Sequence, residues 1–225
     1  MGRTELNDAL IQLKINANNG SGQVDIDGGF SAGNQTSGNK TEIDSEGSLN
    51  LSGDATDYND IQFSISTARV PAANAPTWTG FTGNLSKYTF GIGDYVDLEA
   101  QEVVHGALAE EDKEWHVHIF TNGIEVVDKV VNYQIEYAIT QEDGTPSVIV
   151  ISKDFTIPAN TPDLTKLFIS VGVVSGTGQT SGEDISVQLK RIAAVVGAAP
   201  VSDPFVSMVG LHIKQSRIGS ANQIS

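Results

Sequence analysis

Three of the four histidines of this chain lie between His105 and His118, close to Glu102. In the run Trp115-His116-Val117-His118-Ile119-Phe120, polar and apolar residues alternate. Period two places Trp115, Val117 and Ile119 on one side of a strand and His116, His118 and Phe120 on the other. Two imidazoles on one face at i and i+2 reach a single ion, and neutral imidazole is a common ligand for zinc or iron. The chemistry open to such a pair is that of a Lewis acid or an oxygen-binding metal, and it requires a third ligand. Glu102 or His105 supplies that ligand in this reading. In the competing reading the two rings are ordinary sheet surface, packed on an aromatic such as Phe120 or hydrogen-bonded to backbone.

The His-x-His pair resembles the first half of the cupin pattern, which implies a metal-dependent enzyme. The resemblance stops there. The next carboxylate, Glu125, follows the turn residues Asn122-Gly123, which places it on a hairpin partner strand, and no second histidine motif follows. Other catalytic signatures are missing: there is no Gly-x-Ser-x-Gly elbow, no lysine-bearing phosphate loop and no cysteine nucleophile. The sequence therefore predicts no enzyme and no cofactor. Trp78, between Pro76 and Gly80, either plugs one end of the fold or stacks on a sugar ring as a ligand-binding residue.

Composition narrows the partners. With 13 basic and 28 acidic residues the net charge is -15, and clustered lysine and arginine for phosphate are lacking, so nucleic acid is not expected as a partner. No basic amphipathic stretch suits a membrane surface, and the apolar run from Ile192 to Pro200 is too short to span one. The absence of cysteine and of an apolar leader at Met1 to Leu6 fits synthesis in a reducing cytoplasm.

The elements that must position these residues are strands. From Asp60 onward, period-two runs alternate with turn residues: Ile61 to Ile65, Tyr88 to Phe90, Tyr95 to Leu98 and Trp115 to Phe120. Val131 to Ile139 follows, then Val148 to Ile151 with Phe155 to Ile157, Leu167 to Val174, Ile185 to Leu189 and Phe205 to Ile213. Val131, Tyr133, Ile135, Tyr137 and Ile139 form one inward stripe. Leu167 to Val174 is apolar on both faces, as in a strand covered on both sides. Glu110 to Glu114 favours helix by composition, but Gly106 interrupts the pattern, and the segment is expected to be a loop. Such a succession predicts an all-β fold, an antiparallel β-sandwich of jelly-roll type over residues 58-225. Residues 1-57, rich in Gly, Ser, Asn and Asp, bury little alone and are expected to form an extended polar N-terminal arm held by other polypeptides.

Four separated pieces line up in order: Asp57-Tyr58-Asn59-Asp60-Ile61, Pro76-Thr77-Trp78, Glu102 and His105 with His116-Val117-His118, and Leu211-His212 followed by Ile218-Gly219-Ser220, with Ile135-Glu136-Tyr137 ending an aromatic strand between the last two. This succession resembles a family of tailed-bacteriophage virion structural proteins with a β-sandwich domain, and it covers roughly Asp57 to Ser220. The chain departs from the family pattern at Val104, Phe120 and Ala221, where proline, tryptophan and arginine are usual. The resemblance implies a virion component made in the host cytoplasm, a capsid decoration, head-fibre, neck or tail protein without catalysis. It implies a homotrimer that contacts other virion proteins through residues 1-57. A host-surface glycan is the further partner implied if the domain is the receptor-binding module of a tail fibre.

Overall fold

The structure is a computed structural model, and it describes residues 30–34, 39–43, 49–52, 57–102, 110–140, 144–177, 184–215 and 217–218. Among the described residues fourteen strands follow one another: β1 (Phe30–Asn34), β2 (Asn39–Ile43), β3 (Leu49–Ser52), β4 (Asp57–Ser64), β5 (Thr77–Thr82), β6 (Leu85–Thr89), β7 (Tyr95–Glu102), β8 (Glu110–Phe120), β9 (Lys129–Thr140), β10 (Ser147–Ile157), β11 (Lys166–Gly176), β12 (Asp184–Ile192), β13 (Phe205–Gln215) and β14 (Arg217–Ile218). One 3-10 turn, Ile65–Thr67, is the only helical element among the described residues.

Strand order identifies the architecture. One sheet runs β10-β9-β12-β7; the other runs β11-β8-β13, with both β4 and the β5-β6 hairpin on the far side of β13. Met208 to Gln215 pair with β4, and Phe205 and Val206 pair with β6. Counting β4 and β7 to β13 as eight consecutive strands, one sheet holds the first, eighth, third and sixth, and the other the second, seventh, fourth and fifth. Every neighbouring pair is antiparallel. This is the jelly-roll order, so the expected all-β antiparallel sandwich is the fold of the chain.

The core follows from the alternation. Val131, Tyr133, Ile135 and Tyr137 of β9 face Val117, Trp115 and Ile119 of β8, all buried in one cluster with Ile185, Val187, Leu189, Val209 and Leu211. Trp115 lies against Tyr137 and Phe63 with ring centroids 5.1 and 5.7 Å apart. Each side chain of this size contributes about 1.5–3 kcal/mol on full burial, which fixes the register that sends the intervening residues outward.

Three local expectations are corrected. Glu110 to Glu114 is the first half of β8, paired with Val173, Val174 and Gly176 on β11 and, at Glu114, with His212 on β13, because this pairing outweighs the weak helix preference of acidic residues. Asn122-Gly123 does not close a hairpin: β8 and β9 lie in different sheets, and residues 121–128 cross between them. Glu125 accordingly lies in that crossing loop, where its Oε1 accepts from the Val201 amide at 2.6 Å. Finally, β11 is an edge strand, and Phe168 and Val173 on its outer face are exposed instead of covered.

Within the segment expected to be an arm, β1, β2 and β3 form an antiparallel meander completed by β14 from the other end of the chain. Residues 1–29 of that segment lie outside the described residues.

Candidate functional site

Register assembles a polar cluster on the outer face of the β11-β8-β13-β4 sheet. His116 stands opposite Gly210, Glu114 opposite His212, and His212 opposite Asp60. Since Trp115 and Val117 point inward, His116 must point outward, yet it is fully buried with 0% of its surface exposed. Its cover is local. Phe168 of β11 stacks on the ring at 4.7 Å between centroids, and His212 of β13 lies against it at 4.3 Å. His118, one step along the same face, meets His116 edge-on at 5.0 Å and Phe168 at 5.4 Å.

Gly210 makes this possible. A Cβ at that position would overlap His116 Cε1 and Nε2 and stand 2.6 Å from Asp60 Oδ1. The imidazole therefore lies across the bare backbone of β13 and brings Nε2 to 3.7 Å from Asp60 Oδ2. That gap is too long for a hydrogen bond. Gln62 Nε2 donates to the same Oδ2 at 3.3 Å, which leaves Oδ1 turned into the cluster.

The electrostatics favour uncharged rings. Burial lowers the His116 pKa to about 4, against a weaker upward pull from Asp60 and with further lowering by His212 and His118. His118 is lowered by burial and then by Lys166, with Asp60 pulling the other way. Both imidazoles are therefore neutral at pH 7, which is the form that coordinates a metal. Asp60, His116 and His212 each offer a ligand atom, and these atoms all lie within 4.8 Å of one another.

Of the residues singled out in the sequence, His116 and His118 sit together as their spacing required. Glu102 ends β7 in the opposite sheet, paired with Asp184, and its side chain and the whole of His105 lie outside the described residues. Asp60 and His212 carry the site's other donor atoms. Neither adjoins His116 in sequence; only the β4-β13-β8 ladder unites them, and the outward parity of His212 between Leu211 and Ile213 was the available signal.

Trp78 is 53% exposed on the β5-β6 hairpin, edge-on to Tyr88 with centroids 4.7 Å apart. It does not plug the sandwich; its register partner Tyr88 holds it at the surface.

A third feature is apolar. On β10, whose outer edge pairs with no strand among the described residues, the consecutive residues Val148, Ile149 and Val150 are 60%, 41% and 53% exposed. Across the open side of the sandwich lies β11, with exposed Phe168 and Val173.

No protein-family model and no curated protein matches the sequence. Among solved structures, the chain is similar to the CBM36-1 domain of a multidomain xylanase from the hindgut metagenome of Trinervitermes trinervoides, at TM-score 0.35 and 11% identity over 73% of this chain and all of that one. It is similar to CBM35 from Cellvibrio japonicus Abf62, at TM-score 0.33 and 15% identity over 72% of this chain and all of that one. The infectious bursal disease virus VP2 subviral particle matches at TM-score 0.34 and 10% identity over 75% of this chain and 34% of that one. Scores this low leave the fold to the strand order described above and the function to the surfaces of this chain.

Proposed function

We propose that this chain is a non-catalytic structural subunit of a virus particle that packs in several copies through the β10-β11 side of the sandwich. The observation that carries the reading is the row Val148, Ile149 and Val150 on an edge that no described strand pairs with. An edge strand presents unpaired N–H and C=O groups, and soluble monomers blunt such edges with charge, proline or a bulge. Here the stretch from Val148 to Ile151 is aliphatic, and its pairing with β9 is free of register shifts. A second copy of the chain covers this surface in the proposed assembly, and repetition about a closed axis covers every copy alike. The order of motifs from Asp57 to Ser220 supports a tailed-bacteriophage particle and a homotrimer, with residues 1-57 as the attachment segment to another virion protein.

Light scattering on the purified chain tests this reading. A mass of three times 23.8 kDa is expected, falling to one chain in Val148→Lys/Val150→Lys. A wild-type mass of 23.8 kDa at micromolar concentration would count against it.

Exposed Trp78 favours a second, compatible reading, in which the β5-β6 hairpin stacks on a host-surface glycan. Glycan-array binding that disappears in Trp78→Ala and persists in Leu85→Ala supports this reading, and binding unchanged in both removes it.

A further inference from the structure

The Asp60, His116 and His212 cluster contains buried polar atoms that the described residues leave unsatisfied. Asp60 Oδ1 and both ring nitrogens of His116 have no hydrogen-bond partner among the described residues, and neither does His118 Nδ1. Leaving one such group unpaired costs about 1–3 kcal/mol. A neutral imidazole carries one N–H and one lone pair, so the fully buried His116 ring meets this cost twice. The fold nevertheless goes out of its way to place it there, keeping a glycine at position 210 and packing both Phe168 and His212 against the ring. Hydrophobic burial alone would be served better by a phenyl ring.

We propose that Asp60, His116 and His212 bind one first-row divalent transition-metal ion of the zinc class, joining strands β4, β8 and β13 on the outer face of the sheet. Three donor atoms within 4.8 Å of one another are near the spacing of ligands around such an ion, where metal–donor bonds are about 2.0–2.2 Å long. Two imidazoles and a carboxylate suit zinc, iron(II) or cobalt(II), whereas calcium and magnesium take oxygen ligands. Asp60 Oδ1 is the free carboxylate oxygen, since Oδ2 is held by Gln62. His212 Nδ1 lies 3.7 Å from Glu114 Oε2, beyond hydrogen-bond distance but close enough for the carboxylate to favour a positive charge nearby. A cleft of about 480 Å³, lined by Tyr58, Asp112, Lys113, Glu114, Val173 and His212, borders the site at His212. Asp112 and Glu114 set two negative charges on this cleft against the one positive charge of the buried Lys113, a balance that favours cations. His118 flanks the site without belonging to the ligand set.

Untagged full-length protein, stripped with a chelator and dialysed, is titrated with zinc chloride at pH 7.5 by calorimetry, with melting temperature and cobalt(II) absorption as parallel readouts. One ion per chain is expected, with a raised melting temperature and a visible cobalt band. Asp60→Asn and His212→Ala, which change partly exposed residues and leave the core intact, each weaken zinc binding at least 100-fold. His118→Ala stays within about threefold of wild type. Circular dichroism and the metal-free melting temperature establish that each variant is folded. Absence of zinc heat and of any thermal shift in the wild type overturns the assignment. Unchanged affinity in folded Asp60→Asn and His212→Ala does the same, as does an equal thermal shift with calcium.

Discussion

Replacing Gly210 by alanine isolates the packing of the histidine cluster from its chemistry. The added Cβ would overlap His116 Cε1 and Nε2 and crowd Asp60 Oδ1, and the contacts of Phe168 and His212 with the fully buried ring restrict its retreat. Overpacking a closed site typically costs about 1–3 kcal/mol, and the overlap here, on ring and carboxylate together, places Gly210→Ala in the upper half, at about 2–3 kcal/mol. With a urea m value of about 2 kcal/mol/M, the unfolding midpoint falls by roughly 1–1.5 M. Gly80→Ala serves as control, since a Cβ there meets nothing within 4 Å, and its cost should stay below about 0.5 kcal/mol. In a His116→Ala background the same Gly210→Ala change should cost much less, because the clashing ring is gone, and the double-mutant cycle then returns a coupling of about 1–2 kcal/mol. Equal midpoints for Gly210→Ala and Gly80→Ala, or a coupling near zero, would falsify the placement of the ring across β13.

Other consequences can be checked separately. Because burial lowers the His116 pKa from 6.5 to about 4, the unfolded chain binds more protons than the folded one between those values. Metal-free protein should therefore lose stability as pH falls from 6.5 toward 4, by up to about 3 kcal/mol at ~1.4 kcal/mol per unit, and His116→Phe should flatten that part of a pH series of urea titrations. Arg191, fully buried on β12, donates to the Phe90 carbonyl and to Asp203 Oδ1, the latter at 2.6 Å. Asp203→Ala leaves the guanidinium uncompensated, and thermal melting should report a loss of about 2–4 kcal/mol, the lower end reflecting the half-exposed carboxylate. Trp78→Ala removes a half-exposed ring, so its melting temperature should fall by no more than a few degrees, which keeps any lost glycan binding attributable to the surface.

Strands with one strictly apolar face were legible from sequence. Val131 to Ile139 announces β9 because its inward stripe is unbroken and its outward residues are mostly polar, and the same holds for Ile185, Val187 and Leu189 of β12. The first half of β8 was not legible, since Glu110 to Glu114 has the composition of a helix and becomes strand only through pairing with β11 and β13. The reading of β11 as covered on both faces erred in a useful direction. Its outward apolar residues are real, and in the single chain Phe168 and Val173 are exposed. At the histidine cluster, the i and i+2 spacing of His116 and His118 was visible, whereas Asp60 and His212 come from strands remote in sequence. Their meeting is a property of the jelly-roll crossover, and Gly210 gave no local sign that a ring would lie on it.

The contact between copies is the claim on which the account turns, and the cysteine-free chain permits a direct measurement of it. A single spin label at Ser152→Cys, an exposed position next to the aliphatic row on β10, reports dipolar coupling between chains. Strong coupling at Ser152→Cys, and weaker coupling at Thr67→Cys beyond the end of β4 on the other side of the sheet, is the predicted result. Coupling absent at both positions, or stronger at Thr67→Cys, would contradict assembly through the β10-β11 side.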